Sequence, residues 1–192
     1  MSVTRVTKKS DPHRTKVGIL DNAAELFSER GYTATSMADI ASTADISKAA
    51  IYHYFENKEA LFTELLSSVF RDMDAVIACL GTKVLTNEQK VNLIRSLALV
   101  FLDHRNVIRL LRNLSQGSPI ELSKTTMMRS RVVEDLLAGP NPSKEAELRA
   151  HCALVLLMAG INPPRLMSAT AVKKFNVDQF TQIVAGTLGI DS

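Results

Sequence analysis

The sequence predicts an all-α protein. In most segments apolar residues recur at the helical spacing of three and four positions, and the first such stripe is Leu20, Ala23, Ala24 and Phe27. The 192 residues include only 6 prolines and 8 glycines, and β-branched residues seldom alternate with polar ones, which disfavours strands. Apolar residues make up 46% of the chain and charged residues 22%, which is the balance of a chain that folds.

The helices are separated by clusters of glycine, proline and small polar residues. The clearest of these loop signals lie at residues 117–119, 139–142 and 162–164. Helices are expected over residues 15–30, 36–42, 47–55, 57–80, 91–102, 107–114, 121–137, 144–160 and 177–188. These predictions divide the chain into a flexible basic arm, a first helical domain and a second helical domain, at residues 1–13, 14–60 and 61–192.

Residues with strong capping preferences mark the boundaries of the first four helices. Gly31 follows the first helix, as a C-terminal glycine should. Ser36 and Asp39 have the spacing of a capping box, in which each side chain bonds the backbone N–H of the other. Ser47 and Asn57 suit the N-cap positions of the third and fourth helices.

The second and third helices, joined by a turn at residues 43–46, have the form of a helix-turn-helix. On the third helix Ile51 and Phe55 are i, i+4 partners suited to the core. The outward face then carries Lys48, Ala49, Tyr52 and His53. A merely solvated helix would more often carry Glu and Lys pairs, whereas these residues suit contact with phosphates and base edges in a major groove.

Basic residues are concentrated at the start of the chain, although the net charge of +3 is too small by itself to identify a nucleic-acid binder. Up to residue 18 there is one acidic residue, Asp11, and the basic residues are Arg5, Lys8, Lys9, Arg14 and Lys16. The arm they form has two alternative roles. It either reaches into a minor groove or only keeps the protein soluble.

Several other classes of protein are disfavoured. Cys79 and Cys152 match no disulfide or metal-ligand spacing and are expected to pack as small apolar residues rather than to sense oxidants. His104 and His151 lack a ligand cluster, so neither a metal nor a cofactor is predicted.

Membrane proteins and enzymes are disfavoured as well. The longest apolar run, residues 152–161, is shorter than the roughly 18 residues of a membrane span, and the N-terminus lacks the form of a signal peptide. A cytoplasmic protein is therefore expected. The C-terminal half shows no glycine-rich phosphate loop, H-E-x-x-H or nucleophile elbow, so we expect no enzyme.

Three stretches carry a resemblance to a known family. In order, over residues 19–61, they read ILDNAAELFSERGY, TSMADIA and SKAAIYHYFENKEAL. Together they resemble the N-terminal DNA-binding domain of the TetR family of bacterial transcription factors, over roughly a quarter of the chain. One departure is Asp45, which stands in the turn where the family usually has glycine. Aspartate tolerates the left-handed conformation, so the turn is still expected to form.

The resemblance implies which residues contact DNA. They are Thr35, Ser36, Ser47, Lys48, Ala49, Ala50, Tyr52, His53, Tyr54 and Lys58. It assigns the start of the second helix and Lys58 to phosphates, the start of the third helix to base edges, and the Tyr-His-Tyr cluster to phosphates and nearby bases.

The C-terminal half carries more apolar surface than a small monomer usually leaves exposed. Its last two helices are therefore expected to form a dimer interface from Leu154, Leu157, Met158, Ile161, Phe180, Ile183, Val184 and Leu188. The resemblance implies the same interface, together with a small-molecule pocket among the middle helices. Candidate pocket residues, each of which also suits an ordinary core, are Phe70, Met73, Phe101, Asn113, Met127 and Met128.

These features predict a transcriptional regulator, most simply a repressor, that binds a palindromic double-stranded DNA operator as a homodimer. Release from DNA by a small-molecule effector is implied by the resemblance. The alternative is a DNA-binding protein of the same fold that has no effector and acts in a structural or protein-interaction role. A ligand that binds only the folded state raises thermal stability, so a metabolite screen would separate the two.

Overall fold

The protein is helical wherever the structure describes it. This computed structural model describes residues 12–81, 84–113, 120–160 and 176–190, and of residues 112, 113 and 120–126 only the backbone. In these ranges the chain forms nine helices and no strand, which confirms the predicted all-α class. The helices are α1 Pro12–Arg30, α2 Met37–Thr43, α3 Lys48–Tyr54, α4 Lys58–Ala78, α5 Asn87–Asp103, α6 Arg105–Asn113, α7 Ile120–Ala138, α8 Lys144–Gly160 and α9 Val177–Thr187.

The chain divides into two compact units, Met1–Leu65 and Leu66–Ser192, and the division falls within α4. The boundary expected from the sequence, after residue 60, lies five residues earlier. In the first unit α2 packs against both α1 and α3. The core of this unit is filled by Ile19, Ala23, Phe27, Ile40, Ile51, Phe55, Leu61 and Phe62.

The local signals in the sequence correspond to real caps. Ser36 and Asp39 form the reciprocal capping box at the start of α2. Ser47 Oγ accepts a hydrogen bond of 3.1 Å from the backbone N–H of Ala50 at the start of α3. Asp45 has a φ of 53°, which is the left-handed conformation. The expectation that aspartate replaces glycine in this turn is confirmed.

Helix α1 begins earlier than the sequence predicted. Its first residue is Pro12, at a position where the missing backbone N–H has no helical partner to lose. The last two residues of the predicted flexible arm are therefore helical. Lys16, counted with the basic excess, has its Nζ 3.1 Å from Glu64 Oε1 within the first unit. The rest of the predicted arm, residues 1–11, lies outside the described residues.

In the second unit α8 packs against α5, α6, α7 and α9, and α9 also packs against α5. Helix α8 contributes a buried stripe of small and branched residues, Ala150, Ala153, Leu154 and Leu157. Helix α9 contributes Phe180 and Val184 to the same core. The apolar residues of these two helices are thus largely used inside the chain.

The described residues offer no candidate for a membrane span or a metal site. No helix in the described ranges is long and apolar enough to span a membrane. Among the same residues, no three His, Cys, Asp or Glu side chains lie close enough together to hold a metal ion.

Gly160, the last residue of α8, lets the ring of Phe180 lie against the helix backbone. A Cβ at this position would overlap that ring. We expect Gly160→Ala to lower the free energy of unfolding by about 1–3 kcal/mol, because the overpacked ring must move. Chemical denaturation of the full chain measures this change.

Gly18 in α1 supplies the matched control, because a Cβ there would meet nothing within 4 Å. Gly18→Ala should raise the free energy of unfolding by about 0.5–1 kcal/mol through reduced backbone entropy. An equal rise in the free energy of unfolding in both variants would show that the ring of Phe180 does not need the space at Gly160.

Candidate nucleic-acid interface

Helix α3 is held in place by one buried side. Ile51 has no exposed surface and Phe55, just after the helix, is 5% exposed. The two side chains lie one turn apart, so they anchor the same face of the helix. Ser47 caps its first turn and supplies one of the hydrogen-bond acceptors that an isolated helix end lacks. The second helix of the helix-turn-helix is therefore fixed at both ends.

The opposite side of α3 is open to solvent. Lys48, Ala49, Tyr52 and His53 are all exposed. The exposed fraction of Tyr52 is 47%, which is large for an aromatic residue beside a core. Ala50 and Tyr54 lie at the edges of this face and are half-buried. The predicted orientation of α3 is confirmed, and the exposed set presents a cation, a phenol, an imidazole and a methyl group together.

The start of α2 is ordered by a closed pair of polar side chains. Ser36 donates to Asp39 Oδ2 from both its backbone N–H, at 2.8 Å, and its hydroxyl, at 2.6 Å. The hydrogen bond from the Ser36 hydroxyl, followed by the one from its N–H, lowers the pKa of the Asp39 carboxyl. The carboxylate therefore stays ionised and the cap stays formed at neutral pH.

Two of the residues expected to contact phosphate have contacts inside the domain instead. Thr35 is 1% exposed, and its hydroxyl donates to the carbonyl oxygen of Gly31 at 2.9 Å. Nζ of Lys58 donates to the carbonyl oxygens of Tyr32 and Thr35, both at 2.8 Å. The same ammonium lies 4.3 Å from the centre of the Tyr32 ring. The structure thus gives both residues a positioning role that the sequence did not predict, and their contact with DNA stays a prediction.

Residues 19–65 match the family described as bacterial regulatory proteins, tetR family. The match spans the three motifs and the whole helix-turn-helix. This segment, about a quarter of the chain, belongs to the TetR family. Because the family consists of regulatory proteins, the assignment agrees with the prediction that the chain is not an enzyme.

The relatives of this chain are similar to it to different extents. The biofilm operon icaADBC HTH-type negative transcriptional regulator IcaR of Staphylococcus aureus is 37% identical over 59 residues, which are 31% of this chain and 32% of that protein. The match thus spans about a third of the length of this curated relative. The 59 matched residues are about the length of one DNA-binding domain.

Two solved structures are similar over nearly the whole chain. A transcriptional regulator from Aquifex aeolicus VF5 is 25% identical with a TM-score of 0.61, and the match covers 91% of this chain and 98% of that one. A TetR-like transcriptional regulator from Rhodococcus sp. RHA1 is 22% identical with a TM-score of 0.67, covering 94% and 97%. The fold of the TetR family therefore extends through the helices after α4.

The second unit contains a cavity of about 300 Å³, measured to include its opening to solvent. Side chains from α4 to α8 line it, among them Phe70, Met73 and Phe101 from the predicted pocket set. Met127 and Met128, in contrast, are 73% and 72% exposed and do not line it. The sequence missed that the next two residues of α7, Arg129 and Ser130, are the ones at the cavity. The side chain of Asn113 lies outside the description.

The predicted dimer residues require a larger correction. Leu154, Leu157, Phe180 and Val184 are buried within the chain itself, because α8 and α9 pack on each other and on α5. These four side chains are not a surface for a partner. Of the rest, Ile183 is exposed, Met158 and Leu188 are half-buried, and Ile161 lies outside the described residues.

Helix α8 has a second apolar stripe that the sequence analysis missed. Leu148 and Val155 are 61% and 50% exposed, and they lie on the side opposite the buried stripe. Cys152 lies between them on this face and is also exposed. Cys79, after the end of α4, is exposed as well. The expectation that both cysteines pack in the core was therefore wrong. The i, i+4, i+7 spacing of Leu148, Cys152 and Val155 is the signal that identifies this stripe.

The two histidines singled out earlier each contact one carboxylate. His104 Nε2 lies 2.7 Å from Asp72 Oδ2, and His151 Nδ1 lies 2.8 Å from Glu134 Oε1. The first pair joins α4 to the C-cap of α5, and the second joins α7 to α8, so both histidines have a structural role.

The contacts of Lys58 distinguish it from Lys48, which is exposed on α3. We expect Lys58→Met to lower the free energy of unfolding by about 1–3 kcal/mol, because two part-buried carbonyls lose a charged donor. Lys48→Met should change it by less than about 0.5 kcal/mol, as at an ordinary surface position. Chemical denaturation of both variants measures the difference. Equal stability of the two would rule out a positioning role for Lys58.

Proposed function

We propose that the chain is a transcriptional repressor that binds a palindromic DNA operator as a homodimer and leaves it when a small-molecule effector binds. The observation that carries this proposal is the exposed face of α3. A core-anchored helix presents Lys48, Ala49, Tyr52 and His53 to solvent at the position where a helix-turn-helix reads the major groove.

The chemistry of this face suits both kinds of DNA contact. Lys48 and His53 are able to donate to phosphates or to acceptors on guanine and adenine. The small side chain of Ala49 leaves room for close approach to a thymine methyl group. Repression is supported by the similarity to IcaR, whose name describes a negative regulator. That protein matches this chain over 59 residues.

A homodimer is supported by the exposed apolar residues of α8 and α9. Leu148, Val155 and Ile183 are each at least half exposed, and burial against a second copy would remove them from water. A two-fold dimer presents two copies of α3, which is why the operator should be an inverted repeat. The cavity between α4 and α8 supplies a place for an effector.

The first experiment is selection of binding sites from a random duplex DNA pool at stated salt concentration. The full chain should enrich an inverted repeat. Lys48→Ala and Tyr52→Ala should each bind the enriched sequence about tenfold or more weakly, since each removes a contact in the groove.

Lys144→Ala is the matched control, because Lys144 is an exposed lysine at the start of α8, outside the helix-turn-helix. It should bind as the unchanged protein does. A pool that never enriches, or variants that bind equally well, would contradict operator reading by α3.

The dimer is tested by Val155→Glu, measured by sedimentation equilibrium. This change should raise the dimer dissociation constant about a hundredfold or more, because it places an unpaired carboxylate in the interface. Val17→Glu is the control, since Val17 is also an exposed valine but lies on α1. If Val155→Glu left the dimer dissociation constant unchanged, this face of α8 would not be the dimer interface.

A further inference from the structure

The cavity of the second unit has a mainly apolar lining with two polar residues, Arg129 and Ser130, which are neighbours on α7. The other lining side chains include Phe70, Met73 and Phe101. Binding pockets for small molecules typically combine an apolar wall with a few polar groups that orient the ligand. Arg129 is the charged member of this set.

The guanidinium of Arg129 is held in a fixed position from two directions. Its Nη2 lies 2.7 Å from Asp74 Oδ2 on α4. Its Cζ lies 4.5 Å from the centre of the Phe70 ring, in a cation–π contact. Asp74 and Phe70 therefore fix the plane of the guanidinium before any ligand arrives.

One donor of this guanidinium is not used. Nε of Arg129 is buried and, within the part of the chain that the structure describes, has no hydrogen-bond acceptor. Buried donors are nearly always paired, because burial without a partner forfeits the hydrogen bonds that water would make. An unused charged donor on a residue that lines an apolar cavity is the expected state of a site whose acceptor comes with the ligand.

We propose that the effector is a small apolar carboxylic acid, bound as its carboxylate, with one oxygen accepting a hydrogen bond from Nε of Arg129. The proposal rests on the effector-binding role proposed above and names the chemical class of that effector. A carboxylate is the ligand group that a planar guanidinium matches best. The apolar remainder of the acid would lie against Phe70, Met73 and Phe101.

The volume of the cavity limits the size of this acid. The roughly 300 Å³ of empty space includes the opening to solvent, so the enclosed part of the cavity is much smaller than this figure. An acid must therefore widen the cavity as it binds, and a short aliphatic chain or a single aromatic ring requires the least widening. Met73 and Met158, both at the cavity, are unbranched and are able to adapt to either shape.

The test compares acids with the alcohols of the same shape on the full chain. Octanoate and phenylbutyrate are the acid probes, and octanol and phenylbutanol are the matched neutral probes. Isothermal titration calorimetry should give an affinity about tenfold or more higher for each acid than for its alcohol, because only the carboxylate pairs with Arg129. The melting temperature should rise by roughly 5 °C at saturating acid.

Two variants at matched arginines separate the site from general charge effects. Arg129→Gln should weaken acid binding about tenfold or more and leave alcohol binding nearly unchanged. Arg131→Gln is the control, since Arg131 lies two residues further along α7 and pairs with Asp135 on the helix surface. It should bind both probes as the unchanged protein does.

A third variant predicts a gain of affinity, which a misfolded protein cannot produce. Asp74→Asn removes a half-exposed negative charge next to the guanidinium, while the amide oxygen can still accept a hydrogen bond from Nη2 of Arg129 and keep it in position. It should bind the acids about two- to fivefold more tightly. Unchanged or weaker acid binding by Asp74→Asn would count against the site.

The remaining outcomes divide clearly. Equal affinity for acids and alcohols, full acid binding by Arg129→Gln, or no acid binding up to millimolar concentration would each overturn the proposed effector class. In that case Arg129 acts only to join α4 to α7 through Asp74.

The DNA-binding proposal is assessed separately on the selected operator, to which Arg129→Gln should bind normally without any acid. Acid binding that does not release the operator would preserve the ligand class and contradict the release mechanism.

Discussion

The seven residues of α3 are too few to form a stable helix in water, where about 12–15 residues are needed even in favourable sequences. Burial of Ile51 and Phe55 against the rest of the first unit supplies the missing stability. Since side chains leave a helix in fixed directions, the same burial decides that Lys48 and Tyr52 face solvent. The proposed DNA-binding surface is thus a consequence of how the core holds α3.

The core of this unit is tied together by contacts around the loop after α1. Phe27, Tyr32 and Phe62 form an aromatic cluster with ring centres 4.8–5.7 Å apart. Lys58 adds its ammonium to the outer side of this cluster and bonds the carbonyls at both ends of residues 32–35. The loop leading to α2 is therefore fixed from the start of α4, and α2 in turn positions α3.

In the second unit, one helix serves three purposes. Toward α5 and α9, α8 supplies the small and branched residues of the core. Toward α4 and α7 it supplies Leu154 and Met158 to the wall of the cavity. Its opposite side carries Leu148 and Val155 in solvent. A ligand that enlarged the cavity would push on α8, the helix that we propose to form the dimer. A shift of α8 would change the dimer interface and with it the distance between the two copies of α3.

Most of the helices and their caps were determined by the sequence alone, because they depend on interactions within about four residues. The sequence also identified the apolar side of α3, although packing in the first unit is what buries that side. Examples are the capping box of Ser36 and Asp39 and the left-handed Asp45. The same local spacing predicted three cavity residues on α4 and α5, although it placed the exposed Met127 and Met128 there as well.

Only the tertiary structure decided which of the two apolar stripes on α8 is buried. It also decided the partners of Lys58 and Arg129, which lie 23 to 59 positions away in the chain. A sequence pattern shows that a helix has an apolar side but not which neighbouring helix will cover it, since that choice depends on how all the helices pack together.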